Sequence, residues 1–353
     1  MSLWVDKYRP RTLDSIDYHE DVSKRLKALA SSGDFPHLLV YGPSGAGKKT
    51  RVIAVLHELF GAGVEKMKID VRTFQTSSNR KLEFNVVSSP YHMEITPSDL
   101  GNNDRVVIQD LLKEIAQTEQ VDFSGKHRFK VVIINEADSL SRDAQAALRR
   151  TMEKYSKNIR LILISNTTSN IIAPIKSRTL LLRIPSPTID DITKVLSKLA
   201  SKQEIQLPSD EQDKIQVLNN VGASSKRNLR RALLLLEALT MQNETLKTTT
   251  PMITLDWEGV IKKLAGNISR DRNVARISSS RTVLYELISH CIPPKIILKT
   301  LAFELLNFVN DKVKSDIVEL AAIFDERLSL GTKSIFHLEG FIAKSMVAIE
   351  KNA

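Results

Sequence analysis

The sequence predicts an α/β domain with a parallel sheet, followed by two all-α domains. Over residues 1–186, short apolar runs alternate with amphipathic helical patterns, which is typical of a parallel sheet with helices on both faces. Two prolines, Pro185 and Pro187, then mark the end of this domain, and the pattern beyond them is helical. A polar stretch ending at Pro251 marks a second boundary. We therefore predict domains at residues 1–186, 187–247 and 248–353.

The strands and helices of the first domain follow from these runs in chain order. Apolar runs predict five strands, at residues 38–41, 67–69, 131–134, 161–164 and 180–184. Amphipathic stretches predict helices at residues 21–30, 50–60, 104–118 and 143–154. Residues 81–87 and 91–95 predict a hairpin that turns at residues 88–90, and we expect it to be an insertion on the sheet.

The later two domains are predicted to be helical throughout. Residues 188–242 predict three helices, with N-caps near Thr188 and Ser209. Residues 256–352 are helical, and the last segment carries an apolar stripe formed by Ile335, Leu338, Phe341, Ile342 and Met346. The stripe either faces the core of its own domain or packs against a neighbouring subunit, and the sequence leaves both readings open.

Composition narrows the class of protein. The net charge of +10 favours polyanionic partners such as nucleic acid, although a lysine-rich surface would give the same charge. Aromatic residues make up only 5%, which argues against base stacking on aromatic platforms. The single cysteine, Cys291, can form no internal disulfide, and its apolar neighbours predict a buried side chain. With neither a long apolar run nor a signal-peptide pattern, we expect an intracellular protein.

The strongest chemical signal is a phosphate-binding loop between the first predicted strand and the following helix. It comprises Gly42, Pro43, Ser44, Gly45, Ala46, Gly47 and Lys48, with Lys49 and Thr50 opening the helix. Backbone N–H groups and the helix N-terminus would hold phosphates, and Lys48 would reach their β/γ end. The sequence therefore predicts a site for ATP or ADP.

Two residues of this site depart from the pattern that holds magnesium. Lys49 stands where a Ser or Thr hydroxyl would bind the metal, and Asn135 ends an apolar strand where an Asp is expected. Magnesium is therefore doubtful, we assign no metal ligands, and little hydrolysis is expected although Glu136 has the position of a general base. Lys49 either supplies a substitute charge near the phosphates or extends into solvent.

Several other polar residues are candidates for a role. Asn166 follows a predicted strand and has the position to sense a γ-phosphate, and Arg178 precedes another strand. For nucleic-acid phosphates the candidates are Arg149 and Arg150 on a helix with few acids, and Arg80 and Lys81 at the start of the hairpin. An ordinary solvated surface is the alternative in each case.

Taken together, these motifs resemble a known family. In chain order they are residues 4–10 (WVDKYRP), the phosphate-binding loop, residues 135–138 (NEAD), residues 144–153 (AQAALRRTME) and Ser177-Arg178. The chain resembles the small subunits of the eukaryotic clamp loader replication factor C, which are AAA+ proteins, over essentially its whole length. Lys49 and Asn135 further resemble the members with a degenerate nucleotide site that close one end of the five-membered arc.

The resemblance implies a role for each part of the chain. It implies an AAA+ domain, a helical lid and a helical collar that joins five subunits. It places Tyr8, Arg9 and Pro10 beside the adenine and ribose, makes Asn166 the first sensor and Arg230 the second, and leaves Glu136 a vestigial base. Arg178 would be an arginine finger for the adjacent subunit's site, although Thr179 stands where the family usually has Cys.

The resemblance also implies partners and location. The partners would be four other clamp-loader subunits, a ring-shaped sliding clamp and primer–template DNA, with a nuclear role in DNA replication and repair and no membrane. Two alternatives stay open on the residues themselves. One is a self-sufficient AAA+ ATPase such as a helicase or helicase loader, and the other is a DNA-binding adaptor that uses the domain as a scaffold. Whether the chain is itself an enzyme also stays open.

Overall fold

The computed structural model describes residues 3–32, 35–75, 81–117, 129–156, 158–208 and 210–351. It divides the chain into two compact units, Met1–Met252 and Ile253–Ala353. The first unit contains strands β1 (Leu38–Tyr41), β2 (Lys68–Gln75), β3 (Lys81–Ser88), β4 (His92–Ile95), β5 (Lys130–Ile134), β6 (Ile159–Ser165) and β7 (Leu180–Arg183). Its helices are α1 (Trp4–Lys7), α2 (Glu20–Ser31), α3 (Lys48–Phe60), α4 (Asp104–Gln117), α5 (Arg142–Lys154), α6 (Ala173–Lys176), α7 (Ile189–Lys202), α8 (Glu211–Ser224) and α9 (Leu229–Gln242).

The seven strands form one sheet in the order β2-β3-β4-β5-β6-β1-β7. Strands β4, β5, β6, β1 and β7 run parallel, whereas β2, β3 and β4 pair antiparallel. The predicted α/β class with a parallel sheet is confirmed. The predicted helices of this domain match α2, α3, α4 and α5 to within two residues.

The predicted hairpin is present, but its description as an insertion is wrong. Strand β4 pairs in parallel with β5 and so belongs to the main sheet, and the added edge is instead the pair β2 and β3. Strand β2 runs six residues past the predicted end at Ile69. The sequence pattern did not predict this extension, because it contains the polar residues Asp70, Arg72 and Thr73. Backbone pairing with β3 requires no apolar side chain on the solvent face of the strand.

The sheet owes its stability to apolar strands that are covered on both faces. Val132, Ile134, Leu161 and Leu163 on β5 and β6 are at most 1% exposed. They join one apolar cluster with the inner faces of α4 and α5, to which Leu148 of α5 belongs. Burial on both faces explains why β5 and β6 appear in the sequence as continuous apolar runs and not as alternating patterns.

Side-chain caps set the start of the helices that follow the sheet. Thr188 accepts a hydrogen bond from the Asp191 amide while the Asp191 side chain accepts from the Thr188 amide, which confirms the first predicted cap. Ser209 lies outside the described residues, and Asp210 caps α8 by accepting from Gln212 N. The predicted domain boundaries at residues 186 and 247 stay predictions.

The described residues of the second unit, up to Lys351, form five helices. They are α10 (Asp256–Arg270), α11 (Val274–Ser289), α12 (Pro294–Leu306), α13 (Asp311–Leu330) and α14 (Ser334–Lys351). The stripe on α14 faces the core of this unit, since Leu338, Phe341, Ile342 and Met346 are buried there. Among the helices in the described part of the chain, none combines the length and apolar character needed to span a membrane.

The prediction that Cys291 is buried is wrong. The residue is exposed, and its φ of 60° places it in a left-handed turn just after the end of α11. Of the apolar neighbours that suggested burial, Ile288 belongs to α11 and Ile292 lies in the loop before α12, and both are only partly buried.

Candidate nucleotide-binding site

The strand order brings several polar residues to one edge of the sheet. Strand β6 lies between β5 and β1, and β4 lies on the other side of β5. Because the carboxyl ends of parallel strands meet at the same edge, the loop after β1 lies near Asn166, which follows β6, and Asn135, which follows β5. The register of β4 on β5 pairs Ile95 with Ile134, which sets Glu94 and Thr96 beside Asn135.

Three glycines allow the loop after β1 to pack closely against its surroundings. Gly42, Gly45 and Gly47 have φ values of 153°, 75° and 85°. A Cβ would lie 1.9 Å from Ile184 O at Gly42, 1.8 Å from Asn228 Oδ1 at Gly45, and 2.1 Å from Tyr18 Oη at Gly47. The loop can therefore keep this conformation, packed against Ile184, Asn228 and Tyr18, only because these three positions lack side chains.

Lys48 is the cation of this loop. Its Nζ donates to Gly42 O at 2.6 Å, to Pro43 O at 2.9 Å and to Asn166 Oδ1 at 3.0 Å. Burial lowers the pKa of Lys48, Asp138 opposes this lowering and Arg230 adds to it. Arg230, near the start of α9, lines the same cavity as Lys48.

A cavity of about 840 Å³ lies at this edge of the sheet. Its lining includes the predicted contacts Tyr8, Arg9, Pro10, Ser44, Gly45, Gly47, Lys48, Lys49, Thr50, Asn135, Glu136, Asn166 and Arg230. The N-terminal segment reaches it by contacts with later helices, since Tyr8 Oη accepts from Gln203 Nε2 and Trp4 N donates to Glu237 Oε2 at 3.2 Å. The size of the cavity and the glycine-lined loop fit a nucleotide.

The position where a metal would bind is occupied by a network of protein groups. The Lys49 ammonium forms an ion pair with Glu94, whose side chain is only 7% exposed. Asn135 Nδ2 donates to the same oxygen, Glu94 Oε1, at 2.7 Å. Magnesium prefers oxygen ligands, but here N–H donors surround the carboxylate, so these residues do not fit the ion. Within the described residues, no cluster of three or more His, Cys, Asp or Glu side chains is suited to hold a metal.

Glu136 lies at the edge of the cavity. It is exposed, its φ of 50° is left-handed, and it accepts from Ser98 Oγ at 3.2 Å. Strand β5 ends at Ile134, and Glu136 directly precedes a short helical turn over Ala137–Ser139. Its predicted part as a vestigial base stays a prediction.

Arg178 lies away from this cavity and is held by local contacts. It is not among the described residues that line the cavity. Its Nη2 forms an ion pair with Glu153 Oε1 at 2.7 Å, and its Nη1 donates to Pro174 O at 3.0 Å. Thr179, in the place of the family's usual Cys, is buried and donates to Ile175 O at 3.0 Å. The predicted role of Arg178 as an arginine finger for an adjacent subunit stays a prediction.

The predicted nucleic-acid contacts are only partly as expected. The expectation of few acids near the basic helix is wrong for Arg149, whose Nε donates to Glu153 Oε1 at 3.3 Å. Arg150 is exposed on the same helix, α5. Lys81 is the first residue of β3, and Arg80 lies outside the described residues.

Two residues of this region carry no recognisable motif in the sequence. Glu94 is an acid in a short buried strand, which is an uncommon position for a carboxylate. Arg51 is fully buried, donates to Tyr18 O at 2.5 Å and lies 4.4 Å over the Tyr18 ring. In the sequence, Glu94 stands out only as a charge in a short apolar strand, and Arg51 only as one more basic residue after Lys48 and Lys49.

Family models match three stretches of the chain. The model for the C-terminal domain of replication factor C subunit 3 matches residues 257–353, and the RCF1/5-like AAA+ ATPase lid domain matches residues 194–241. The model for the delta subunit of DNA polymerase III matches residues 18–188.

Relatives match the chain over nearly its full length. Replication factor C subunit 5 of Neurospora crassa is 58% identical over 350 residues, covering 99% of this chain and 98% of that protein. Subunit 5 of Saccharomyces cerevisiae is 55% identical, covering 99% and 100%, and human subunit 3 is 47% identical, covering 99% and 97%.

Among solved structures, a point variant of RuvB from Thermotoga maritima matches with a TM-score of 0.50 and 15% sequence identity. The match covers 72% of this chain and 78% of RuvB. At this identity the likeness shows the fold alone and nothing of the chemistry.

Proposed function

This chain belongs to the replication factor C subunit 3/5 family, and on that premise we propose that it is a subunit of a heteropentameric sliding-clamp loader. The complex would open the ring-shaped clamp and load it onto primer–template DNA in the nucleus, during replication and repair. The observation that carries this proposal is the 58% identity to Replication factor C subunit 5 of Neurospora crassa over 99% of the chain. The alternative of a self-sufficient AAA+ ATPase is not favoured, because the similarity extends through the C-terminal unit.

Within that complex, the chain would bind ATP or ADP and hydrolyse little of it. The intact loop with Lys48 supports binding, and Tyr8, Arg9 and Pro10 are proposed to contact the adenine and ribose. Asn166 and Arg230 are proposed as sensors, because Asn166 accepts from Lys48 and Arg230 lines the same cavity. The Lys49 and Glu94 pair supports weak turnover, because no metal would neutralise charge on a transferring phosphoryl group.

The chain would contribute to catalysis through Arg178, acting in the site of the adjacent subunit. An arginine finger supplied from a neighbouring chain changes the rate at a site by about 10³–10⁵. A subunit can therefore control hydrolysis elsewhere while its own site is inactive. The domains are proposed to be an AAA+ domain over residues 1–186, a lid over 187–247 and a collar over 248–353.

The test is to compare two variants of this chain in the reconstituted five-subunit complex. Arg178→Ala should remove most of the ATPase activity that the adjacent subunit's site contributes to the complex, and it should leave assembly intact. Lys48→Ala, in the chain's own site, should cost the complex much less. Co-purification of all five subunits provides the assembly control. If neither variant changes ATPase activity, the in-trans role of Arg178 is refuted.

A further inference from the structure

Glu94 joins the two positions at which this chain departs from a magnesium-binding site. Its Oε1 atom accepts from the Lys49 ammonium and from Asn135 Nδ2, the latter at 2.7 Å. The Glu94 side chain is 7% exposed, whereas that of Lys49 is 40% exposed. The two substitutions are therefore not independent losses, because both replacement residues bind one buried carboxylate.

This arrangement compensates the charge of the Glu94 carboxylate, whose burial would otherwise be energetically unfavourable. A buried carboxylate is strongly unfavourable unless a cation or several donors accompany it. Here the accompanying cation belongs to the protein. An ammonium has three N–H donors, and with one given to Glu94 two remain on a side chain that lines the cavity. Lys49 can therefore be held by Glu94 and still donate to a phosphate oxygen.

We propose that Glu94 fixes the Lys49 ammonium as an internal cation in the place of the divalent metal, so that the site binds nucleoside di- or triphosphates without divalent metal. This inference rests on the proposed function, since it requires that the phosphate-binding loop binds nucleotide. Glu94 is a positioning residue that acts through Lys49 and Asn135. The neutral amide of Asn135 adds a second hydrogen bond to Glu94 without adding charge.

The network can be tested by removing its cation and then its carboxylate. Lys49→Thr removes the cation and supplies a hydroxyl beside the Glu94 carboxylate. With the Thr96 hydroxyl, and with the Asn135 amide turned so that its oxygen and not its Nδ2 faces Glu94, these oxygen groups suit magnesium. This variant should gain dependence on divalent metal. Lys49→Thr combined with Glu94→Gln lacks the carboxylate and should not gain it. The double variant is the matched control, because it has the same hydroxyl and almost the same volume.

The measurement is the Kd of a fluorescent ADP analogue for the full-length chain, in EDTA and in excess Mg²⁺. For the wild type, the two Kd values should agree within about threefold, which is under 1 kcal/mol. For Lys49→Thr, the Kd in EDTA should be at least about tenfold weaker than in Mg²⁺. Electron paramagnetic resonance of Mn²⁺ gives a second readout, in which ADP-dependent binding of Mn²⁺ should occur with Lys49→Thr and not with the wild type.

Each outcome decides a separate point. A wild-type chain whose affinity falls tenfold in EDTA overturns the inference, and this comparison needs no variant to fold. Unchanged metal dependence in Lys49→Thr also overturns it, once thermal melting shows that the variant is folded. If the double variant is as metal-dependent as Lys49→Thr, Glu94 is not needed for metal binding, and the positioning role proposed for it is overturned. Failure of the wild type to bind in either buffer would instead refute nucleotide binding itself, and so the proposed function of this site.

Discussion

At the scale of single residues, Gly45 determines how closely the lid approaches the phosphate-binding loop. Its φ is 75°, and a Cβ there would lie 1.8 Å from Asn228 Oδ1. Asn228 is the N-cap of α9 and accepts from Arg231 N at 3.1 Å. Arg230 is the second residue of the same helix, so a shift of Asn228 would also move Arg230 relative to Lys48.

We predict that Gly45→Ala weakens both the fold and the nucleotide site. A left-handed conformation costs a residue with a Cβ about 1–2 kcal/mol, and the contact with Asn228 adds to this. The free energy of unfolding should fall by at least about 1–2 kcal/mol, measured by chemical denaturation. The Kd for the ADP analogue should rise at least about tenfold, because the start of α9 is displaced.

A double-mutant cycle isolates the contact. Asn228→Ala removes the obstructing side chain and its helix cap, which costs about 1 kcal/mol alone. If the two residues contact each other as described, the combined variant is destabilised by less than the sum of the single effects. Strict additivity would mean that the backbone strain at Gly45 accounts for the whole loss.

How much of the site could be read from the sequence depends on where its residues lie along the chain. The loop from Gly42 to Lys48 is contiguous and bears a recognisable spacing, so it was predicted entirely from sequence. Glu94 was missed because its role depends on the register of β4 beside β5, and a sequence does not specify which strands are neighbours. Glu153 was likewise treated as part of a helix and not as the partner of Arg178, which is distant in sequence.

At the scale of elements, the same distinction separates the strands that were predicted from those that were not. Strands β5 and β6 are apolar because both faces are covered, and such runs are visible without knowledge of their neighbours. Strand β2 is an edge strand on which Ile69 and Val71 are 74% and 61% exposed. With no core to impose a pattern, its length is set by pairing with β3, and pairing leaves little trace in composition.

His37, the residue before β1, is hydrogen-bonded to β6 and should make the stability of the first unit depend on pH. His37 Nδ1 accepts from Leu161 N at 2.9 Å. Burial lowers the pKa of His37 from 6.5 to about 4, and Arg160 adds to the lowering. Burial likewise lowers the pKa of His92 on β4 to about 4. Protonation of His37 at Nδ1 would remove the acceptor for the β6 amide.

The sign of the pH effect follows from these lowered pKa values. Above pH 6.5 both histidines are neutral in the folded and the unfolded chain. Between pH 6.5 and about 4 the unfolded chain binds protons that the folded chain does not, so stability falls as the pH falls. Because His37 is only partly buried, its share should be below the limit of about 1.4 kcal/mol per pH unit.

We predict that His37→Asn reduces the loss of stability between pH 7 and pH 5, because the amide oxygen keeps an acceptor while the titrating group is gone. Urea denaturation at the two pH values measures the effect, which should be roughly 1 kcal/mol. His290→Asn, at an exposed position, is the matched control and should leave the wild-type difference unchanged. An identical pH dependence in His37→Asn and the wild type would show that His37 does not couple protonation to folding.

At the scale of the whole molecule, the net charge of +10 would attract DNA at long range, before any contact forms. The charge does not act evenly over the surface, because ion pairs remove part of it locally. On α5, Arg149 shares Glu153 with Arg178, whereas Arg150 is exposed beside it. Arg150 is therefore a stronger candidate for a phosphate contact than Arg149, a distinction that the sequence pattern alone did not make.

We predict that the assembled complex binds primer–template DNA with no sequence preference and with a steep dependence on salt. Phosphate contacts carry no sequence information, and each one contributes about 0.9 to the slope of log K against log salt concentration. Arg150→Ala, Arg80→Ala and Lys81→Ala should each flatten that slope by about one unit. Arg149→Ala should flatten it less, because its guanidinium is already paired with Glu153. Fluorescence anisotropy across a salt series measures all four variants.

The comparison between Arg149 and Arg150 makes this prediction specific to the geometry of α5. Lys314→Ala, in the C-terminal unit, removes the same formal charge and controls for net charge, so its slope should match the wild type. Equal flattening by Arg149→Ala and Arg150→Ala would mean that Glu153 releases Arg149 when DNA binds. Since Glu153 also holds Arg178, Arg149→Ala should then alter DNA-stimulated ATPase activity as well as binding. An unchanged slope in all four variants would place the path of the DNA away from α5 and β3.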